Sequence, residues 1–175
     1  MILNRIQTVK IEWSKPILLD NRVNSCNFYE EEGLYIISKK YIRHGLVWEK
    51  YIYVGETQKG FDIRFEQHLD EKERSLWTYE KGKKYVRFGR ILNRPLFVNN
   101  NKWFLLTLES SIIQSIKNLP EVRLVNARQI KRYTIFYDCI IENFGCAILP
   151  KKINTRDLYD VIVNKDCENI VGKKR

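Results

Sequence analysis

The chain has 175 residues, 44% hydrophobic and 30% charged, a length that suits one domain with a real core and a composition that excludes a disordered chain. Lysine and arginine number 31 against 21 acidic residues, a formal net charge of +10 at pH 7, which favours a polyanion or an anionic surface as partner. Cys26, Cys139, Cys146 and Cys167 form no CxxC pair and the histidines are His44 and His68 alone, so no zinc site is expected and the cysteines are expected as free thiols.

The N-terminal stretch MILNRIQTVKIEW has no long apolar core of the signal-peptide kind. No run reaches the roughly 18 apolar residues of a membrane span. The expectation is a cytoplasmic chain outside the membrane. Residues 1–30 form a mixed lead-in in which Ile6 to Trp13 suits a short strand. Gly33 opens the β-rich run Leu34-Tyr35-Ile36-Ile37, and Tyr51-Ile52-Tyr53-Val54 forms a second one that stops at Gly55. The polar, basic stretch 38–50 between them is expected as a long connector turning at Gly45.

After Gly55 the period changes. Phe61, Phe65 and Leu69 recur at helical spacing. Strand-like content returns from Lys84 to Leu92, and Pro95 with Asn99-Asn100-Asn101 marks a loop. Phe104 to Ile116 is the clearest helix, and Pro120 ends that region. Tyr133 to Ile141 is β-rich, while Leu158, Val161 and Ile162 suit a short helix or a strand equally. The order β-β-α-β-α with a mixed tail predicts an α+β (or α/β) fold, a small mixed or antiparallel sheet flanked by helices.

Glu109 stands among Leu105, Leu106, Ile112, Ile113 and Ile116 on the helical wheel. A carboxylate on such a face is costly unless paired or metal-bound. It therefore either meets a hard cation, reaches out at the helix edge, or pairs with a buried arginine. Arg64 and His68 are one helical turn apart and share a face. Together they suit a phosphate and a proton relay, or simply a solvated face. Tyr51 and Tyr53 are two residues apart in a strand and are expected on the same face. The phenols of Tyr35 and Tyr53 suit proton handling or, equally, cross-strand packing.

Between Lys81 and Arg94 lie six basic residues and no acid, with Tyr85 and Phe88 interleaved. Lys83, Lys84, Arg87, Arg90 and Arg94 are therefore candidate phosphate contacts.

Taken together, Gly33-Leu34-Tyr35 followed by Tyr53-Val54-Gly55, then Arg64 and His68 in IRFEQH, then Glu109 in LTLES, resemble the motifs of the GIY-YIG nucleases over residues 33–126. Leu34 and Val54 stand in place of the name-giving isoleucines, and Glu56 stands where many members have a lysine, a role open to Lys59. The resemblance implies a single domain, a nuclease core at 33–126 with decorating extensions at 1–32 and 127–175. It implies hydrolysis of DNA phosphodiesters with one Mg2+ or Mn2+ ion held by Glu109. Arg64 would neutralise the phosphate, Tyr35 would position or deprotonate the attacking water, Tyr53 would support it and His68 would relay the proton. Asn126 matches the family's later asparagine and joins the candidate DNA contacts. Short extensions suit a stand-alone type II restriction endonuclease acting on double-stranded DNA, as a homodimer if its site is symmetric. The alternatives are a phage or mobile-element nuclease, a catalytically silent DNA-binding module, or a protein whose basic face meets an acidic partner.

Overall fold

The structure is a computed structural model that describes residues 7–19, 31–69, 81–96, 98–126 and 135–158. The strands are β1 (Gln7–Trp13), β2 (Ile17–Leu18), β3 (Gly33–Arg43), β4 (Leu46–Thr57), β5 (Lys84–Ile91), β6 (Cys139–Gly145) and β7 (Lys152–Asn154). The helices are α1 (Phe61–Leu69) and α2 (Asn101–Ile116). The fold is mixed α+β, and all seven strands among the described residues join one sheet in the order β4-β3-β5-β1-β6-β7, with β2 paired to β5. The pairs are antiparallel except β1 with β6, which run parallel.

The extensions expected as decorations instead supply β1, β2, β6 and β7. Val9, Ile11 and Trp13 of β1 are buried between β5 and β6. Of the tail, residues beyond 158 lie outside the described residues, so Val161 and Ile162 are not placed.

Residues 38–50 are not a connector. The strands continue through them to a two-residue turn at His44 and Gly45, with φ of 52° and 75°. Two successive positive φ values give the turn whose twist matches paired strands. Tyr41, Ile42, Val47 and Trp48 supply the β-branched and aromatic content that the polar neighbours mask in the sequence.

The sheet is covered on both faces. On one, α2 packs Phe104, Leu108 and Ile112 over Val9, Ile11, Leu34, Ile36 and Val54. On the other, α1 packs Phe61 and Phe65 over Tyr35, Ile37, Val86 and Phe88. The alternation of Leu34 and Ile36 with Tyr35 and Ile37 is the period of 2 that a doubly covered strand needs. A register shift interrupts it in β4: Ile37 faces Tyr53 but Ser38 faces Tyr51, leaving Ile52 as the extra residue of a β-bulge. Tyr51 therefore joins the α2 face while Tyr53 stacks on Tyr35, against the expectation that the two share a face.

The helix begins three residues earlier than its apolar pattern. Asn100, expected in a loop, caps α2 by accepting from the Trp103 N–H at 3.1 Å. After α2 the chain runs along the outer edge of β4. Tyr51 N–H donates to Glu121 O at 3.0 Å, and Val125 N–H to Ile52 O at 2.8 Å. Asn126 ends this cover.

Candidate active site

α1 and α2 lie on opposite faces, so their polar residues can meet only around a sheet edge. They do so at the end of β4, just beyond the stretch covered by residues 121–126. The turn after Gly55 is held by Thr57 Oγ1, which donates to Gly60 O at 2.8 Å. The first turn of α1 then closes from Arg64 N–H to Gly60 O at 3.3 Å, which aims Arg64 back at the sheet.

Tyr35 is fully buried, with its ring stacked on Tyr53 at 6.0 Å and edge-on to Phe65 at 5.3 Å. Its hydroxyl and that of Tyr53 hydrogen-bond with Arg64. Burial, first, and then the neighbouring Tyr53 push the Tyr35 phenol well above its ordinary range, against the pull of Arg64. Burial, then Glu109, push Tyr53 up as well. Both phenols keep their protons at neutral pH. A phenol held in its protonated form is a poor proton acceptor at neutral pH.

Glu109 is half-buried on α2 and faces this group. Burial, then the Glu56 carboxylate, raise its pKa to about 8, with Arg64 opposing them. Glu56 is raised too, by burial, while Arg64 and Lys102 lower it. Two inward carboxylates and an arginine thus share one small, poorly solvated volume.

A cleft of about 460 Å³ opens onto it, lined by Glu56, Thr57, Lys59, Arg64, Gln67 and Asn101 among others. Glu56 Oε2, Arg64 Nε and Asn101 Oδ1 are buried there without hydrogen-bond partners. Buried polar atoms are normally paired, so unpaired acceptors beside an unpaired donor suit a bound cation and a bound anion together. Glu109 and Glu56 are the described groups that fit a hard divalent ion; among the described residues no cluster of three His, Cys, Asp or Glu adds to them.

Glu56, Asn101 and Lys102 escaped the sequence reading as site residues. Lys102 precedes Glu109 by two helical turns and shares its face, a spacing that was there to be used. Lys59 is exposed at the cleft wall. His68 falls on α1, but its side chain lies outside the described residues.

The basic candidates divide. Lys83 is exposed and Lys84 half-exposed. Arg90 pairs with Glu12 at 2.8 Å, and Arg94 with Glu32. Arg87 is not a surface contact. It is 5% exposed, pairs with Glu49 through Nη2 at 2.7 Å, and lies over the Tyr51 ring at 5.5 Å. It sits on the inward face of β5, where a lone basic side chain needs a buried partner. Asn126 is not a DNA-facing group either: it is buried and its Nδ2 donates to Val54 O at 2.6 Å, which ties the segment after α2 to β4.

Among the described residues no helix is long and apolar enough to cross a membrane. No protein-family model matches the chain, no curated protein is similar to it at a significant level, and no solved structure matches it.

Proposed function

We propose that the chain is a metal-dependent endonuclease of the GIY-YIG type that hydrolyses phosphodiesters of double-stranded DNA. One observation carries this reading: Tyr35, Tyr53, Arg64 and Glu109, drawn from two strands and two helices, form one electrostatic cluster beside a polar cleft. These are the residues that the motif resemblance names. Aromatic packing alone would account for the tyrosines, but not for unpaired Arg64 Nε and Glu56 Oε2 at the same place.

Glu109, with Glu56 beside it, would hold one Mg2+ or Mn2+ ion. When bound, that ion supplies Lewis-acid stabilisation of the phosphate and the leaving oxygen. Arg64 would donate to a non-bridging phosphate oxygen, its Nε being the guanidinium nitrogen without a hydrogen-bond partner. Tyr35 and Tyr53, as neutral phenols anchored by Arg64, orient the water and the phosphate. Lys59 meets the DNA backbone at the cleft wall. His68 remains the residue of α1 assigned to proton relay. The subclass proposed is a stand-alone type II restriction endonuclease, with a phage or mobile-element nuclease as the alternative.

The test is incubation with varied plasmid and phage DNA in magnesium, manganese or chelator, beside Glu109→Ala. Discrete, metal-requiring fragments that vanish with Glu109→Ala support a site-specific nuclease. A metal-dependent smear keeps the nuclease and removes the restriction reading. Binding without cutting makes a silent DNA-binding module the better account.

A further inference from the structure

β4 is the outermost strand of the sheet. Its outer edge is covered from Tyr51 to Val54, where residues 121–126 run along it. From Leu46 to Lys50 no described residue pairs with that edge. Tyr51 shows which backbone groups point outward there. Its N–H meets Glu121 O at 3.0 Å, and its carbonyl accepts from Arg123 N–H at 2.8 Å. The ladder to β3 is regular from Tyr51 back to Leu46. Outward groups therefore recur at every second residue, at Glu49 and Val47.

Open sheet edges are normally covered, bulged or charged. Here the side chains beside the open edge are apolar on both faces of the hairpin. Ile42 (77% exposed) pairs with Val47 (69%) on one face. Tyr41 pairs with Trp48 on the other, beside Leu46 (63%). A two-stranded ribbon buries neither face by itself.

We propose that this arm pairs edge to edge with the same arm of a second copy, antiparallel about a twofold axis at Trp48, joining two sheets into one. Backbone phase supports a second copy. A register centred on Trp48 sets Val47 of each copy against Glu49 of the other, so the outward groups of both meet. It also uses the whole open stretch from Leu46 to Lys50. Centred one residue earlier, the pairing would run into the His44–Gly45 turn; one later, it would need the outward groups of Tyr51, which are taken. Charge agrees: Lys50 falls opposite Leu46 and Glu49 opposite Val47, so no like charges oppose each other across the seam. Side chains agree too. The two Trp48 rings meet at the axis, each flanked by its own Tyr41, in an aromatic row across four strands. Duplex DNA fits less well, because Ile42, Leu46 and Val47 offer nothing polar to phosphates or base edges.

Five paired residues per copy make a small seam, so the dimer should be weak, with Kd on the order of 10–100 μM. The seam does not depend on the nuclease reading. If that reading holds, the two clefts would stand on the order of 60 Å apart, because Thr57 lies nine strand residues beyond Trp48. Such a dimer would carry two separate DNA segments.

The experiment uses the full chain in chelator, without DNA. Sedimentation equilibrium from about 1 to 200 μM should show a reversible monomer–dimer equilibrium. It should tighten by about threefold or more between about 0.1 and 0.5 M salt, because two chains of charge +10 then repel less. Val47→Pro removes an outward N–H and leaves the β3 ladder intact, and should weaken the dimer at least about tenfold. Val47→Ala keeps that N–H and should weaken it less. Under mild oxidation Trp48→Cys should give a disulfide between copies at that position, since the axis brings the two Cα atoms within about 6 Å. Leu46→Cys should not, and the unaltered protein is the baseline because Cys146 is exposed. Hydrogen exchange needs no variant to fold: the Val47 and Glu49 amides should slow as concentration rises, while that of exposed Lys15 should not. A monomer throughout, assembly that grows beyond two copies, Val47→Pro no weaker than Val47→Ala, or equal cross-linking at both positions overturns the proposal. So does protection of the Val47 and Glu49 amides by duplex DNA in a chain that stays monomeric. None of these readouts involves cutting, so failure of the seam and failure of the nuclease reading are told apart.

Discussion

A Cβ on Gly55 would collide with both Cζ and the hydroxyl oxygen of Tyr35. The tyrosine is thus laid directly over the β4 backbone, where only a glycine leaves room. Gly55 is not one of the residues with positive φ, so space and not backbone freedom dictates it. Gly55→Ala should push the Tyr35 ring off Tyr53 and Arg64. The expected cost is roughly 1–3 kcal/mol in urea unfolding, as for an overpacked core. DNA cleavage should fall by about 10²-fold, as for a displaced catalytic group. Wild-type cleavage in a folded Gly55→Ala protein would remove Tyr35 from the chemistry.

Glu109 gives a pH signature before any metal is added. Its folded pKa of about 8 lies above the ordinary carboxyl value of 4.5. A raised acid favours the protonated form, so its contribution to stability is full below about pH 4.5 and is lost as pH rises toward 8. Metal-free protein should therefore lose stability over that window, and Glu109→Gln should flatten the loss. Denaturant midpoints in chelator at a series of pH values test this; parallel curves for the two proteins would contradict it. Because a ligand must be deprotonated to bind, Mn2+ affinity should rise by up to about tenfold per pH unit below 8, read by titration calorimetry.

Buried Arg87 and half-buried Glu49 form an ion pair that reaches across β3 and ties β4 to β5. Arg87→Ala should cost about 3–5 kcal/mol, because Glu49 would remain charged without its partner. Arg87→Met/Glu49→Leu should recover most of that. Burial pushes the Glu49 carboxyl up, but the hydrogen bonds from Arg87 and Ser38 and the charges of Arg87 and Lys40 together lower it. Its stabilising contribution is then present above the unfolded carboxyl value near 4.5 and disappears as pH falls through the lower, folded one. The double variant should unfold at acid pH with a shallower dependence than wild type. Its DNA-binding salt slope should be unchanged, which a surface phosphate contact would not allow.

Asn100→Ala removes the side chain that accepts from the Trp103 N–H at the start of α2. A loss of about 1 kcal/mol is expected, with Asn100→Gly milder by most of that. Equal effects of the two substitutions in chemical denaturation would argue that the asparagine acts otherwise than as a cap.

Part of the arrangement was legible along the chain. The strand of Tyr35, the helix of Arg64 and the place of Glu109 among leucines and isoleucines follow from local period and residue type, and the motif resemblance is what grouped them. Those signals are short-range, and a period of 2 or 3.6 survives whatever the rest of the chain does. The same logic failed at Tyr51, because a bulge is a property of two paired strands and shifts every residue beyond it to the other face. It failed at residues 38–50, whose polar residues read as a loop until Tyr41 is seen paired with Trp48 and Ile42 with Val47. Arg87 looked like one cation among six, since only the approach of Glu49 from another strand makes it a buried clamp. Glu56 looked like a missing lysine until packing brought it beside Arg64 and Glu109. Sequence by itself determined which residues carry charge, phenols and apolar faces at helical or strand spacing. Long-range pairing decided which of them meet, because burial, register and the neighbours of a charge exist only once distant segments are packed together.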